Sequence, residues 1–171
     1  MTQTIALPCP MGTAGAEAVA LRLCPDLMAT SFEIEGHVAG SPVSLADARR
    51  VGHVRRIVAA RLRYLGLSGL RDSTLAIVSE LVTNAIQHTV PQAGTSSSVT
   101  VTQLYTRGQL HILVKDEGGG QPRVRAADVD EECGRGLAIV EEITAELGGR
   151  WGFASDSRTV YCVFPVAPVG R

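Results

Sequence analysis

The chain has 171 residues, a formal net charge of −1, 19% charged and 45% hydrophobic residues. That is one domain's worth of chain, long enough to bury a core, and its near-neutral balance gives no global electrostatic case for nucleic acid or an anionic membrane. No apolar run approaches the roughly 18–20 residues that cross a bilayer, and no basic region followed by an apolar core opens the chain as a secretory signal would.

Residues 1–30 are poorly patterned and punctuated by Pro8, Pro10, Gly12, Gly15 and Pro25. They read as a loosely ordered N-terminal arm, with residues 31–171 forming a single domain. Cys9, Cys24, Cys133 and Cys162 lack metal-ligand spacing and read as reduced thiols, which points to a cytoplasmic protein. Residues 31–38 (SFEIEGHV) alternate apolar and polar and predict a strand at a sheet edge.

Ser44, with Asp47 three residues on, reads as a helix cap. The helix should run to about residue 65, with Val51, Val54, Val58, Leu62 and Leu65 as its buried stripe. Its remaining surface carries Arg49, Arg50, His53, Arg55, Arg56, Arg61 and Arg63. Such a face is either simply solvated or a docking surface for an acidic protein, because arginine forks pair well with carboxylates.

A turn at residues 66–69 leads to a second helix, over about 70–89, which Pro91 terminates. Val78, Leu81, Val82, Ala85 and Ile86 give its buried face. Glu80, Asn84 and His88 fall at i, i+4 and i+8, in one row on another face. A carboxylate, an amide and an imidazole so aligned can set a base beside a metal ligand, or can be a polar stripe facing water.

Residues 99–106 and 109–115 predict a hairpin that turns at Arg107-Gly108. Asp116 and a glycine cluster, Gly118-Gly119-Gly120, follow directly. Residues 121–133 are polar and long for a connection, as functional loops are. Gly134-Arg135-Gly136-Leu137 then opens a third helix, with Leu137, Val140, Ile143 or Thr144, and Leu147 inward and Gly148-Gly149 as its stop. A last hairpin spans residues 150–155 and 158–165. Strands grouped in pairs between helices argue against a doubly wound sheet and for an α+β sandwich, its mixed, mostly antiparallel sheet covered by helices on one face.

The chemistry of the glycine segments suits a polyphosphate. Gly118, Gly120, Gly134 and Gly136 let backbone N–H groups approach an anion, and the second cluster adds a helix N-terminus. A carboxylate at Asp116 can accept a hydrogen bond from the exocyclic amine of adenine. The P-loop pattern, a dinucleotide fingerprint, zinc-ligand spacing and a hydrolase elbow are all missing.

Glu80-x-x-x-Asn84, Asp116-x-Gly118-x-Gly120 and Gly134-x-Gly136-Leu137, in that order, resemble the motifs of the ATP-binding superfamily of gyrase, the heat-shock chaperone, histidine kinases and MutL (GHKL). The resemblance spans about residues 40–166. It implies the Bergerat-type two-layer sandwich. Within it, SELVTNAIQH and GRGLAIVEEI are most similar to the stand-alone serine/threonine kinases that act as anti-sigma factors in Gram-positive bacteria. By that resemblance, Glu80 is the general base and Asn84 the Mg²⁺ ligand. Asp116 reads adenine, and Gly118, Gly120, Gly134 and Gly136 close over the phosphates of ATP. Thr159 resembles the hydroxyl residue near adenine, and Leu137 belongs to the last motif. His88 holds either nucleotide or a structural hydrogen bond, and Arg135 faces either phosphate or solvent.

The resemblance further implies a sigma factor and a STAS-type anti-anti-sigma protein as partners, and a homodimer, with no direct nucleic-acid or membrane contact. The arm departs from the family pattern. No phosphoacceptor-histidine helix pair precedes the domain and no transducer domain follows it, which speaks against a complete sensor kinase, gyrase or MutL. Two other readings stand beside the kinase. One is a catalytically silent regulator that senses nucleotide or binds protein without it; the other is a detached histidine-kinase-like catalytic domain.

Overall fold

The computed structural model describes residues 27–34, 44–89, 97–116, 133–156 and 158–166. Ser44 caps the first helix, α1 (Leu45–Tyr64), by accepting a hydrogen bond from the Asp47 N–H at 3.1 Å while its hydroxyl donates to Asp47 Oδ2 at 2.6 Å. That reciprocity satisfies one free N–H of the first turn and fixes the helix start. At the other end Gly66 adopts φ 74°, and a short 3-10 turn (Ser68–Leu70) leads into α2 (Arg71–His88). The apolar periodicity holds for Val54, Val58 and Leu62 of α1 and for Val78, Leu81, Val82 and Ile86 of α2, which are buried, while Val51, Leu65 and Ala85 of the expected rows are only partly buried against the core.

Among the described residues five strands form one sheet in the order β1-β2-β3-β5-β4. They are β1 (Leu27–Ile34), β2 (Ser97–Thr106), β3 (Gln109–Asp116), β4 (Arg150–Phe153) and β5 (Thr159–Pro165). Every pairing among the described strands is antiparallel, in line with the mostly antiparallel sheet expected, and none among them is parallel. The reason is the order: β5 sits between β3 and β4 and is antiparallel to both. The β2–β3 turn falls at Arg107-Gly108, with φ of 51° and 71°. Positive φ at both turn residues gives the twist that a two-residue hairpin needs.

β1 begins at Leu27 rather than at 31, so the expected arm gives up residues 27–30 to the sheet; its first 26 residues, and 35–38 of the expected strand, lie outside the described residues. Leu27 and Met28 pair with Leu104 and Gln103, because β2 is long enough to template them. The polar-apolar alternation that marked 31–34 is weaker over Leu27-Met28-Ala29, so local pattern missed it.

A third helix, α3 (Cys133–Glu146), packs against α2 and β4. Gly148, at φ 66°, ends it, and Gly149 passes so near β5 that a Cβ there would meet the Val163 carbonyl and Phe164. The helices and one sheet face enclose a single core in which Val99, Val101, Leu110, Ile112, Val114, Cys162 and Phe164 meet the helix residues. Leu104, Leu113 and Val163 alternate onto the other face and are buried there.

Candidate functional site

α2 is the central helix of its layer. It packs against α1, α3, β2 and β3. Its apolar rows face the sheet, which turns the Glu80 row toward α3. Glu80 and Asn84 are half-buried, and His88, at the end of the row, is exposed.

Gly136, in the first turn of α3, fixes the position of Glu80. A Cβ on Gly136 would stand 2.7 Å from Glu80 Oε2. A side chain there would displace the carboxylate, so the glycine is what lets the acid lie along the start of α3. Helix starts carry unsatisfied N–H groups and partial positive charge, which favour anions nearby. The structure thus brings together two residues 56 positions apart in sequence, one from each of two motifs.

Ser79, next to Glu80, ties the helix down. Its hydroxyl donates to the Leu75 carbonyl at 2.6 Å and accepts from Arg55 Nη1 of α1 at 2.6 Å. The Asn84 side chain makes no hydrogen bond among the described residues. Its amide oxygen is a hard donor of the kind Mg²⁺ takes, usually together with substrate phosphates and water. Among the described residues no group of three or more His, Cys, Asp or Glu converges, so an ion here would rest on Asn84 and on its nucleotide.

Asp116 ends β3. It pairs with Val99 of β2, and its N–H donates to the Arg158 carbonyl at 3.1 Å. Strand alternation sets it on the helix side of the sheet, in line with Val114 and Ile112. Thr159 pairs with Lys115, one position away, and alternates onto the opposite face. Its hydroxyl donates to Asp156 Oδ2 at 2.8 Å. Asp156 also accepts from the N–H groups of Arg158 and Thr159, both at 3.0 Å. Partial burial pushes the Asp156 carboxyl up, but these three hydrogen bonds and the Lys115 ammonium outweigh it and hold its pKa below the ordinary carboxylate value. Sequence reading passed over this clasp, although an Asp three residues before a Thr in a turn is the signal for it.

Leu137 is half-buried against the core. Gly134 and Arg135 lie in the first turn of α3, and the Arg135 side chain is outside the described set. Gly118 and Gly120, with the rest of 117–132, lie outside the described residues. Two grooves of the described surface open elsewhere, on either flank of α1.

A carboxylate-bearing central helix, laid against a glycine-opened helix over an antiparallel sheet, defines a two-layer α+β sandwich of the nucleotide-binding kind. The chain belongs to the histidine kinase-like ATPase domain family, whose model matches residues 45–157. It therefore carries an ATP-binding fold of the GHKL type. It is 32% identical over 117 residues to the sensor histidine kinase PdtaS of Mycobacterium tuberculosis, in strains CDC 1551 / Oshkosh and ATCC 25618 / H37Rv. The match covers 65% of this chain and 23% of the length of those curated relatives. Among solved structures, the histidine kinase domain of the blue-light activated histidine kinase from Erythrobacter litoralis EL346 is similar with a TM-score of 0.49 at 17% identity, covering 77% of this chain and 66% of that one. Among the described residues no helix is long and apolar enough to cross a membrane.

Proposed function

We propose that the chain is an ATP-dependent serine/threonine protein kinase of the anti-sigma type, which phosphorylates a STAS-type anti-anti-sigma protein and sequesters a sigma factor. The observation that carries this is the Glu80 carboxylate lying against Gly136 at the start of α3. Glu80 accepts the proton of the attacking hydroxyl. The hydroxyl oxygen bonds to the γ-phosphorus of ATP while the bond to the ADP oxygen breaks, and ADP leaves. Little covalent help is needed, so positioning and charge neutralisation supply most of the rate. Asn84 would hold Mg²⁺, which when bound neutralises the developing phosphate charge. Asp116, on the helix side of the sheet end, accepts from the adenine amine. The reading also implies a homodimer and a cytoplasmic setting.

Transfer from Mg-ATP to a purified STAS partner tests it. Acid-stable phosphate on serine or threonine is expected. Glu80→Ala should abolish transfer with nucleotide affinity largely kept, and Asp116→Ala should weaken nucleotide binding itself. No transfer would leave the silent, nucleotide-sensing regulator as the better reading. The similarity to a sensor histidine kinase favours one other outcome, acid-labile phosphate on histidine.

A further inference from the structure

The arginines of α1 do not form one uniform solvated face. Arg50 pairs with Asp47 at 2.7 Å, and Arg55 donates to Ser79. Arg61 lies 5.0 Å over the Tyr64 ring. These three serve the fold. Arg49, Arg56 and Arg63 remain, at seven-residue intervals, with His53 and Ala60 between them. All five of these positions are exposed.

Seven residues are nearly two helical turns, so the three guanidinium groups stand in one row, about 10 Å apart and about 21 Å from first to last. The row runs along the two grooves that flank α1. Arg49 and His53 line one of about 250 Å³ beside β1, and Arg56 and Arg63 line one of about 270 Å³ with Ser68 and Arg71. Among the described residues neither lining includes a carboxylate, although Arg71 of the second groove pairs with Asp72 at 2.8 Å. Asp47 is the sole acidic residue of α1 and is buried under its own cap, whereas the chain as a whole carries a net charge of −1. Charge is therefore segregated onto this row.

The row is also low. Gly52, Ala59 and Ala60 accompany it, and a Cβ on Gly52 would meet nothing within 4 Å. A partner backbone can come close between the arginines.

We infer that this row of α1 is the docking surface for an acidic helix of a partner protein, with carboxylates repeating at the same seven-residue interval. A partner helix presents carboxylates seven residues apart at the same interval of about 10 Å, so the two rows meet in step, and a chain of net charge −1 offers no broad positive field for a nucleic-acid backbone. The surface lies away from Glu80 and Gly136, so the inference stands apart from the kinase reading.

The probe is a synthetic 21-residue helical peptide with glutamates at seven-residue intervals, titrated by fluorescence anisotropy against the full chain. A peptide of equal charge with its glutamates grouped at one end, and a single-stranded DNA of matched length, are the comparisons. The spaced peptide should bind tightest. Reversing Arg49→Glu, Arg56→Glu and Arg63→Glu together should weaken it about tenfold or more, as three exposed pairs predict. Arg107→Glu, in the β2–β3 turn, should leave it unchanged. Melting temperature and Mg-ATP affinity of the triple variant should match the parent. Equal binding of the grouped peptide, tighter binding of DNA, no binding, or insensitivity to the triple reversal would each overturn the inference.

Discussion

Gly136→Ala separates the position of the Glu80 carboxylate from everything else at the site. An added Cβ would lie 2.7 Å from Glu80 Oε2, whereas ordinary contact starts at 3.4 Å, so the carboxylate must retreat by about 0.7 Å (3.4 minus 2.7). It is the far end of a flexible side chain, so it can. The cost is an off-rotamer torsion, about 0.5–1.5 kcal/mol. Against it stands the gain of alanine over glycine inside a helix, about 1 kcal/mol. Stability should stay within about 1 kcal/mol of the parent. Catalysis has no such compensation: a misplacement near 1 Å costs about a hundredfold, so a loss of about 10- to 100-fold in kcat is expected. Gly136 is also one of the glycines expected to close over phosphate, but its Cβ would point at Glu80, so ATP affinity should fall less than the rate. The assay is single-turnover phosphoryl transfer, with nucleotide affinity and thermal melting on the same preparation. Combining Gly136→Ala with Glu80→Gln should add almost nothing to the loss from Glu80→Gln alone, because both act through one group. Transfer within twofold of the parent, or a fall in ATP affinity as large as the fall in rate, would refute the placement of the base against α3.

Other perturbations test the scaffold. Gln103 is fully buried on the core face of β2, and neither atom of its amide finds a hydrogen-bond partner. Leaving such a group unsatisfied costs about 1–3 kcal/mol, so Gln103→Leu should raise the melting temperature by several degrees, read by calorimetry. Gly149→Ala should destabilise by about 1–3 kcal/mol in urea unfolding, because the atoms its Cβ meets are Val163 and Phe164 of β5, which include backbone and cannot swing away. His111 is half-buried, and burial, then the charge of Arg150, lowers its pKa below the ordinary 6.5. The unfolded chain therefore binds the extra proton more readily. This contribution to stability is complete above pH 6.5 and is lost as pH falls below it, so His111→Gln should flatten the fall in urea midpoint between about pH 7 and 5. Burial pushes the Cys162 thiol up to about 11, against a smaller opposing effect of the Thr144 hydroxyl. Peptide mapping should find it unmodified by iodoacetamide at pH 7.5 in the folded chain and modified in urea.

Local signals carried most of the architecture. The cap at Ser44, the apolar rows of α1 and α2, the Arg107-Gly108 turn and the Gly148-Gly149 stop each rest on chemistry within a few residues, and each stands where the sequence put it. The start of β1 did not, because Leu27 and Met28 are strand only by virtue of Leu104 and Gln103 opposite them. The strand order was hidden for a similar reason, since nothing local tells β5 to insert between β3 and β4. At the site, periodicity gave the row of Glu80, Asn84 and His88 and the strand end at Asp116. It could not give the tertiary pairing of Glu80 with Gly136, nor show that the Thr159 hydroxyl is engaged by Asp156.

The same physics explains why two residues beside each other in sequence, Ser79 and Glu80, serve different ends. Ser79 faces α1 and is held at both ends, by the Leu75 carbonyl and the Arg55 guanidinium. Glu80, about 100° further round the helix, faces α3, where it lies against Gly136. In the proposed kinase reaction a base at Glu80 must be placed accurately yet keep its oxygens open to a substrate hydroxyl, and the two requirements conflict if the base itself is tied by hydrogen bonds. Here the anchoring is moved one residue away. Ser79 and Arg55 fix the helix, the helix fixes the Glu80 backbone, and the missing side chain at Gly136 leaves the carboxylate its space. Ser79→Ala should accordingly act as a positioning change: kcat falls modestly, nucleotide affinity holds, and Glu80→Gln in the same chain removes the difference. If Ser79→Ala slowed transfer even in the Glu80→Gln background, the serine would act on the substrate directly and this division of labour would be wrong.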